Sequence, residues 1–190
     1  MRRLVLIALL PALATPPVLA QPHGQHSPYT ELSGREIKAL STQQVDDLRQ
    51  ARGMGMSLPA ELNGAPGPMH ALELRQPLQL TDSQATALER VVAVMRQHAR
   101  ASGEEVIRAE AELEQAFKAG APEAATIDRL AERIGLRNGQ LRAVHLQAHR
   151  ETRLLLSAEQ TARYNQARGY VAGQAPTGAV GGHSGHQHRP

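Results

Sequence analysis

His145 and His149 are separated by three residues in a segment with a helical pattern. Side chains four residues apart lie on one face of a helix, so both imidazoles could bind the same metal ion. The helix pairing described below would bring Met95 and His98 close to them, giving a cluster of four. Arginines surround this cluster and disfavour a cation. The alternative interpretation is therefore a set of interfacial histidines without a metal.

A second group of imidazoles, His183, His186 and His188, lies near the end of the chain, among glycines. A flexible histidine tract can bind zinc, copper or nickel with modest affinity, because neutral imidazole suits all three ions. The competing interpretation is a solvated tail with no bound metal.

Thioethers form a third candidate site, made of Met54, Met56, Met69 and His70. Soft sulfur ligands together with imidazole are typical of Cu(I) sites. Methionine more often fills gaps in an apolar core, so core packing is the alternative explanation for these residues.

Several other kinds of chemistry are excluded or disfavoured. The chain has no cysteine, which removes disulfides, thiol catalysis and cysteine-ligated zinc. It contains no His-Glu-x-x-His or Glu-x-x-His motif, no glycine-rich phosphate loop and no nucleophile elbow. We therefore expect that the protein is not an enzyme and requires no cofactor, and that any bound ion is Zn, Cu or Ni.

Residues 1–20 are predicted to be a secretory signal. Arg2 and Arg3 precede an apolar run over 4–14, and the small residues Val18 and Ala20 suit cleavage after Ala20. The run is too short to span a bilayer, and no later segment approaches the required ~20 apolar residues. Removing two arginines lowers the net charge from +3 to nearly neutral, which gives no electrostatic reason for nucleic-acid binding. We expect a periplasmic protein that does not span the membrane.

The composition predicts an all-α fold. Aromatic residues make up 2% of the chain and the apolar set 41%, so Leu, Val, Ile, Ala and Met must form the core. Apolar positions recur at spacings of three and four in two long segments. They are Leu88, Val91, Met95, Ala99, Ser102, Val106, Ala109, Leu113 and Phe117, and then Ile127, Leu130, Ile134, Leu141, Val144, Ala148 and Leu155.

Gly120 and Pro122 lie between these segments and predict a long antiparallel hairpin, roughly 82–119 against 122–155. This pairing sets acids on the first helix beside arginines on the second, and leaves arginines at the open end. The acids are Glu104, Glu105, Glu110, Glu112 and Glu114, and they face Arg129, Arg133 and Arg137. The basic patch comprises Arg90, Arg96, Arg100, Arg142, Arg150 and Arg153.

The rest of the chain is predicted as shorter pieces. A flexible arm over 21–32 precedes a helical domain over 33–170, and a disordered Gly/His-rich tail covers 171–190. Within the domain we expect a helix over 33–52, capped at Ser33 or Ser41 and stopped by Gly53. A Gly/Pro loop with one helical turn then covers 54–68. Short helices are expected over 69–74 and 157–168.

The pattern Leu-[Ser/Thr]-x-x-Gln occurs three times and predicts capping boxes at helix starts. The hydroxyl accepts from a backbone N–H three residues on, while the glutamine reaches back to the N–H of the capping residue. The residues involved are Leu40, Ser41 and Gln44, then Leu80, Thr81 and Gln84, and finally Leu156, Ser157 and Gln160.

Two such boxes, one opening and one following a long hairpin in an exported cysteine-free chain, resemble the paired LTxxQ motifs of the CpxP/Spy family. That family includes periplasmic stress chaperones and heavy-metal-resistance and sensor proteins. The resemblance covers about residues 36–170, and the segment from Gly53 to His70 is similar to a heavy-metal-resistance subgroup. It implies a bent helical hairpin that often dimerises into a shallow cradle.

The resemblance also implies two activities: binding of heavy-metal ions, and binding of unfolded or partly folded periplasmic proteins without ATP. The alternative function is a non-enzymatic interaction module that recruits or regulates a folded partner, such as a membrane sensor.

Overall fold

The computed structural model describes residues 27–170, and these are all-α with no β-strand among them. Residues 27–33 form a small unit of their own, which holds the 3₁₀ turn Thr30–Leu32. Residues 34–170 form a second compact unit. Its helices are α1 (Thr42–Arg49), α2 (Leu58–Glu61), α3 (Pro68–Glu73), α4 (Asp82–Lys118), α5 (Ala124–Leu155) and α6 (Ala158–Ala167).

All three predicted capping boxes are present. The hydroxyls of Ser41, Thr81 and Ser157 each accept a hydrogen bond, 3.1 Å long, from the backbone N–H of the glutamine three residues later. Each glutamine side chain accepts in return from the N–H of the capping residue, at 2.8–3.1 Å. These reciprocal bonds satisfy donors that a helix start otherwise leaves unpaired, and they fix where α1, α4 and α6 begin.

The last two capping boxes also bind each other. The Gln84 amide donates to the Gln160 side-chain oxygen at 2.8 Å, and the Gln160 amide donates back at 2.9 Å. Gln84 donates in addition to the carbonyl of Leu155 at 2.9 Å. The starts of α4 and α6 and the end of α5 are therefore joined by one polar junction.

Helices α4 and α5 lie antiparallel and begin and end within two residues of the predicted bounds. Arg133 of α5 pairs with Glu112 of α4 at 2.5 Å, and Arg137 lies 3.8 Å from Glu105. Later residues of α5 thus pair with earlier residues of α4, as the charge pattern predicted. Gly120 has a φ of 141° in the connection, a conformation that glycine adopts without strain.

Two of the predicted acids pair elsewhere. Glu104 is 3.3 Å from Arg49 of α1, and Glu114 is 3.1 Å from the ammonium of Lys38. Glu114 also accepts from the backbone N–H of Lys38 at 3.1 Å. The segment before α1 is therefore held against α4 by charge, and these acids were not free to face α5.

The predicted helix over 33–52 is wrong in its first nine residues and at its end. Ser33 closes the 3₁₀ turn, residues 34–40 form turns and bends, and only Thr42–Arg49 is an α-helix. The N–H of Lys38 is bound to the Glu114 carboxylate, so it cannot contribute to a helix. Ala51 has a φ of 57°, which stops the helix before Gly53 is reached.

The buried face of α4 differs in detail from the predicted seam. Val92 and Gly103 are buried where Val91 and Ser102 were expected, and Phe117 is 55% exposed. The physical reason is that α1 and α3 also pack on α4, which widens its buried face beyond the contact with α5. A seam predicted from the pairing of α4 and α5 alone does not include the contacts of α4 with α1 and α3.

The core has two apolar clusters. The α1 cluster joins α1 to the middle of the long helices, and the α6 cluster joins α3 and α6 to the start of α4. The buried members of the α1 cluster are Ile37, Leu48, Ala51, Ala99, Val106, Ile107 and Leu141. Those of the α6 cluster are Ala71, Leu78, Leu80, Leu88, Leu156 and Tyr164.

The predicted signal over 1–20, residues 21–26 of the predicted arm and the tail over 171–190 lie outside the described residues. Within residues 27–170, no helix combines the length and the apolar composition needed to cross a bilayer. The six arginines of the predicted basic patch are all exposed.

The contact between α1 and α4 predicts opposite effects for two glycine substitutions. A Cβ at Gly103 would lie 2.6 Å from the backbone oxygen of Leu48, so Gly103→Ala must push α1 away from α4. We expect a loss of roughly 1–3 kcal/mol in the free energy of unfolding, measured by urea denaturation.

Gly135→Ala is the matched control, because nothing lies within 4 Å of a Cβ added at this exposed helical position. It should stabilise the protein by about 0.5–1 kcal/mol. Equal effects of the two substitutions would contradict a close contact between α1 and α4 at Gly103.

Candidate functional site

A cavity of about 530 Å³ lies between the two apolar clusters. Along α4 its wall includes Met95, which lies between Leu88 of the α6 cluster and Ala99 of the α1 cluster. Along α5 the wall includes His145 and His149. The remaining wall comes from the segment between α1 and α3 and from the chain that follows α6.

The segment between α1 and α3 is folded over the long helices by unusual backbone geometry. Ala51 and Met54 have φ values of 57° and 44°, and Gly55 has 74°. Left-handed conformations are uncommon outside glycine, and they persist where surrounding contacts hold them. Pro68 then begins α3, as its fixed φ favours, and thereby places Met69 and His70 on the cavity wall.

At the base of the cavity is a buried acid, Glu61, whose side chain is only 7% exposed. The hydroxyl of Tyr164 donates to its Oε1 at 2.5 Å, and the hydroxyl of Tyr170 donates to the same oxygen at 3.0 Å. The backbone N–H of Gly67 donates to Oε2 at 3.0 Å. Arg168 adds its positive charge 3.8 Å from Oε1.

These contacts keep Glu61 ionised. Burial by itself raises the pKa of Glu61, but hydrogen bonds with His70, Tyr164 and Tyr170 and the nearby charge of His149 outweigh that effect and lower the pKa to about 2. Burial and the adjacent carboxylate raise the pKa of Tyr164 well above its ordinary value, so its hydroxyl keeps the proton that it donates. The same two causes raise the pKa of Tyr170.

His149 is oriented by its Nδ1. This nitrogen is 2.8 Å from the carbonyl oxygen of Ala65 and 3.5 Å from Oε2 of Glu61. Both neighbours are acceptors, so Nδ1 carries a proton, and whenever the ring has only one proton the lone pair lies on Nε2. An imidazole held in this way has the tautomer that a metal ligand needs.

His145, one helical turn earlier, is 3% exposed, and its Nε2 is buried without a hydrogen-bond partner among the described residues. Buried polar atoms are nearly always paired, so an unpaired ring nitrogen needs an explanation such as a bound ion or water. Burial, with a further contribution from His149, lowers the pKa of His145. The ring is therefore neutral at physiological pH, which is the form that binds metals.

The structure unites two sites that the sequence suggested separately. Met95, His145 and His149 line the same cavity as Met54, Met69 and His70. His98 is exposed and does not line the cavity, because it points away on the outer face of α4. Met56 packs instead against the α1 cluster. His183, His186 and His188 lie outside the described residues.

The cavity wall also carries positive charge. Arg52, Arg96 and Arg168 all belong to its wall. Arg52 is neutralised by Asp47 at 2.5 Å, and Arg168 lies beside Glu61. Arg96 approaches the sulfur of Met69 at 3.6 Å. Within residues 27–170, no three histidine, aspartate or glutamate side chains form a group that could hold a metal ion.

Sequence reasoning missed the buried acid and its donors. Glu61, Gly67, Tyr164, Arg168 and Tyr170 were assigned no role, because carboxylates were expected on exposed helix faces. One available signal was that two of the chain's three tyrosines lie within seven residues of each other at the end of the domain. Tyrosines are costly to bury unless the hydroxyl finds a partner, so such a pair points to a buried acceptor.

The fold and the site define an all-helical protein whose cavity combines a buried, ionised acid with methionine and histidine walls. No protein-family model, curated protein or solved structure matches this chain.

The low pKa of Glu61 predicts a specific dependence of stability on pH. A carboxyl group whose pKa is lower in the folded than in the unfolded state stabilises the protein above its unfolded pKa, here 4.5. That contribution is lost as the pH falls from about 5 to about 2. Glu61→Gln should therefore lower the free energy of unfolding by roughly 2–3 kcal/mol at pH 7, with the deficit shrinking towards pH 2.

The measurement is urea denaturation of both proteins across this pH range. Glu132→Gln, at an exposed position of α5, is the control and should follow the unsubstituted protein at every pH. Parallel profiles for Glu61→Gln and the unsubstituted protein would show that the carboxylate is not held as described.

Proposed function

We propose that this chain is an exported metal-binding protein of the heavy-metal-resistance or sensor type, and that its cavity holds the ion. The observation that carries the proposal is the buried Nε2 of His145, which lacks a hydrogen-bond partner among the described residues. His145 lines a cavity together with His149 and three thioethers. An ion bound there would give this nitrogen the partner that the described residues do not supply.

Two further features support a ligand role for the histidines. Burial keeps His145 neutral, so binding an ion does not first require the loss of a proton. The contact of His149 Nδ1 with the Ala65 carbonyl leaves Nε2 as the nitrogen with the free lone pair. Orientation of a ring by a backbone carbonyl is a common arrangement around metal-binding histidines.

The sequence supports the place and the purpose of binding. Residues 1–20 have the pattern of a cleaved signal, which directs the chain to the periplasm. The resemblance to the CpxP/Spy family, based on the capping boxes at Thr81 and Ser157, favours metal buffering or sensing during envelope stress. The reciprocal hydrogen bonds between Gln84 and Gln160 join those two motifs to each other.

The test is calorimetric titration of the purified chain with Zn²⁺, Ni²⁺ and, under anaerobic conditions, Cu(I). We expect one ion per chain at the cavity. The substitution His145→Leu should abolish this binding, because it removes the imidazole while keeping an apolar side chain of similar size at a buried position. The melting temperature of the variant shows whether it is still folded.

Two controls separate the cavity from other histidines. His98→Ala removes an exposed imidazole of α4 and should leave binding unchanged. The triple substitution of His183, His186 and His188 by alanine should remove only weaker ions bound by the tail. Absence of heat in every titration, or loss of all binding in the triple variant alone, would contradict the proposal.

A second candidate function is the binding of unfolded chains without ATP. A groove on the hairpin is bordered by Val94 and Leu154, which are 53% and 69% exposed. Apolar side chains exposed to this degree on neighbouring helices can hold extended segments by many weak contacts. Arg90 and Glu151 on the groove would contribute polar contacts to the backbone of a client.

This candidate predicts that the chain delays aggregation of a chemically denatured client, measured by light scattering in the absence of nucleotide. The double substitution Val94→Ser/Leu154→Ser should abolish most of the delay. Leu62→Ser is the matched control, because Leu62 is equally exposed but lies away from the groove. No delay with the unsubstituted chain would eliminate this candidate.

A further inference from the structure

We infer that the ion bound in the cavity is a soft monovalent cation, Cu(I) or its analogue Ag(I), and that Met95 and Met69 bind it together with His145. This inference rests on the proposed metal-binding function and specifies the class of ion and the ligands. Histidines alone could bind zinc or nickel, whereas this inference makes two thioethers ligands of the ion.

The first support is the concentration of sulfur. The chain has five methionines, and three of them, Met54, Met69 and Met95, line this one cavity. Thioether sulfur is a poor ligand for hard ions and a good one for Cu(I). The same wall carries His70, His145 and His149, and imidazole also suits copper. The cavity thus offers soft and borderline donors from separate parts of the fold.

The second support is the position of Met95. Its side chain is 7% exposed, and it lies on α4 between the two apolar clusters, on the cavity wall. Met56, by contrast, packs against the α1 cluster as an ordinary core methionine does. Met69 reaches the cavity from α3 and His145 reaches it from α5, so three helices each supply one donor. The Met69 sulfur accepts a hydrogen bond from Arg96 at 3.6 Å, and a bound ion would replace that contact.

The third support is the charge of the wall. Arg52, Arg96 and Arg168 contribute positive charge, and Asp47 offsets that of Arg52 while Glu61 offsets that of Arg168, which leaves the wall with a net positive charge. Coulomb repulsion grows with the charge of the ion, so this surrounding opposes a divalent ion twice as strongly as a monovalent one. Thioether and neutral imidazole ligands carry no negative charge to offset the charge of the ion. A monovalent ion has less charge to be offset than Zn²⁺ or Ni²⁺.

The fourth support is the backbone of the covering segment. Ala51 and Met54 both hold left-handed conformations, with φ values of 57° and 44°. Such geometry is costly for residues with a side chain and is often found at binding sites. Here it folds the segment after α1 back over the cavity, with Met54 in the wall. A third thioether is thereby available at the opening.

The experiment uses the full chain with His23, His26 and the three tail histidines replaced by alanine, so that every remaining histidine belongs to the described part. Cu(I) is supplied anaerobically from a coloured bidentate chelator, and the chelator's absorbance reports the transfer. Ag(I) is titrated separately as an analogue that does not change oxidation state. Zn²⁺ and Ni²⁺ are titrated by calorimetry in the same buffer.

We expect one Cu(I) or Ag(I) per chain. Met95→Leu and Met69→Leu should each weaken Cu(I) binding by about tenfold or more, because leucine matches methionine in volume but offers no sulfur. Met56→Leu is the matched control and should bind Cu(I) as the unsubstituted chain does. X-ray absorption of the Cu(I)-loaded protein should show both sulfur and nitrogen neighbours.

Two results would overturn the inference in distinguishable ways. If Zn²⁺ or Ni²⁺ binds through His145 and neither methionine substitution changes Cu(I) affinity, the soft-ion inference is wrong while the proposed metal-binding function stands. If no ion binds to the folded chain at all, the proposed function fails and the inference fails with it. Unchanged melting temperatures of the leucine variants would exclude unfolding as the cause of lost binding.

Discussion

The buried carboxylate of Glu61 is the interaction on which the arrangement of the smaller helices depends. An ionised group removed from water must be surrounded by donors, and the donors here come from two distant parts of the chain. Tyr164 and Tyr170 reach it from α6 and beyond, and Gly67 reaches it from the start of α3. Because these donors must meet at one point, the Gly/Pro segment, α3 and the end of the domain close around the cavity together. The single charge of Glu61 therefore fixes the positions of segments whose sequences have little apolar periodicity.

The donors can meet there because α6 is fixed at its other end. The reciprocal amide bonds between Gln84 and Gln160 hold the start of α6 against the start of α4. The helix from Ala158 onward then determines where Tyr164 lies, and its ring is completely buried in the α6 cluster. The capping boxes thus do more than begin helices. They position the phenol that donates to Glu61, and a local sequence motif thereby contributes to the geometry of a site about two helical turns away.

The parts of the fold that the sequence predicted are those governed by neighbours in the chain. Helix bounds near 82, 118 and 155 follow from capping residues and from Gly120, and all three capping boxes are present. Contacts between segments that are distant in the sequence were harder to predict. The turn at Lys38 is bound to Glu114, so the expected longer first helix does not form. The site was predicted as two unrelated groups, because the fold of the segment between α1 and α3 onto α4 and α5 leaves no periodic signal. The buried state of Glu61 had no local signal either, since burial of an acid depends on donors about a hundred residues away.

The buried acid and the methionine-lined wall are physically related. Glu61 is already satisfied by two phenols and a backbone N–H, so its oxygens are poorly available to a metal ion. Its remaining influence on the cavity is electrostatic, and it offsets part of the charge of Arg168 at 3.8 Å. It also lies 3.5 Å from Nδ1 of His149, which holds that ring in the tautomer with a free Nε2. The ligands left for an ion are neutral imidazoles and thioethers, a set that favours soft ions over hard ones. The acid is therefore satisfied by the fold itself and offsets part of the arginine charge, which is the electrostatic condition that the proposed cation site requires.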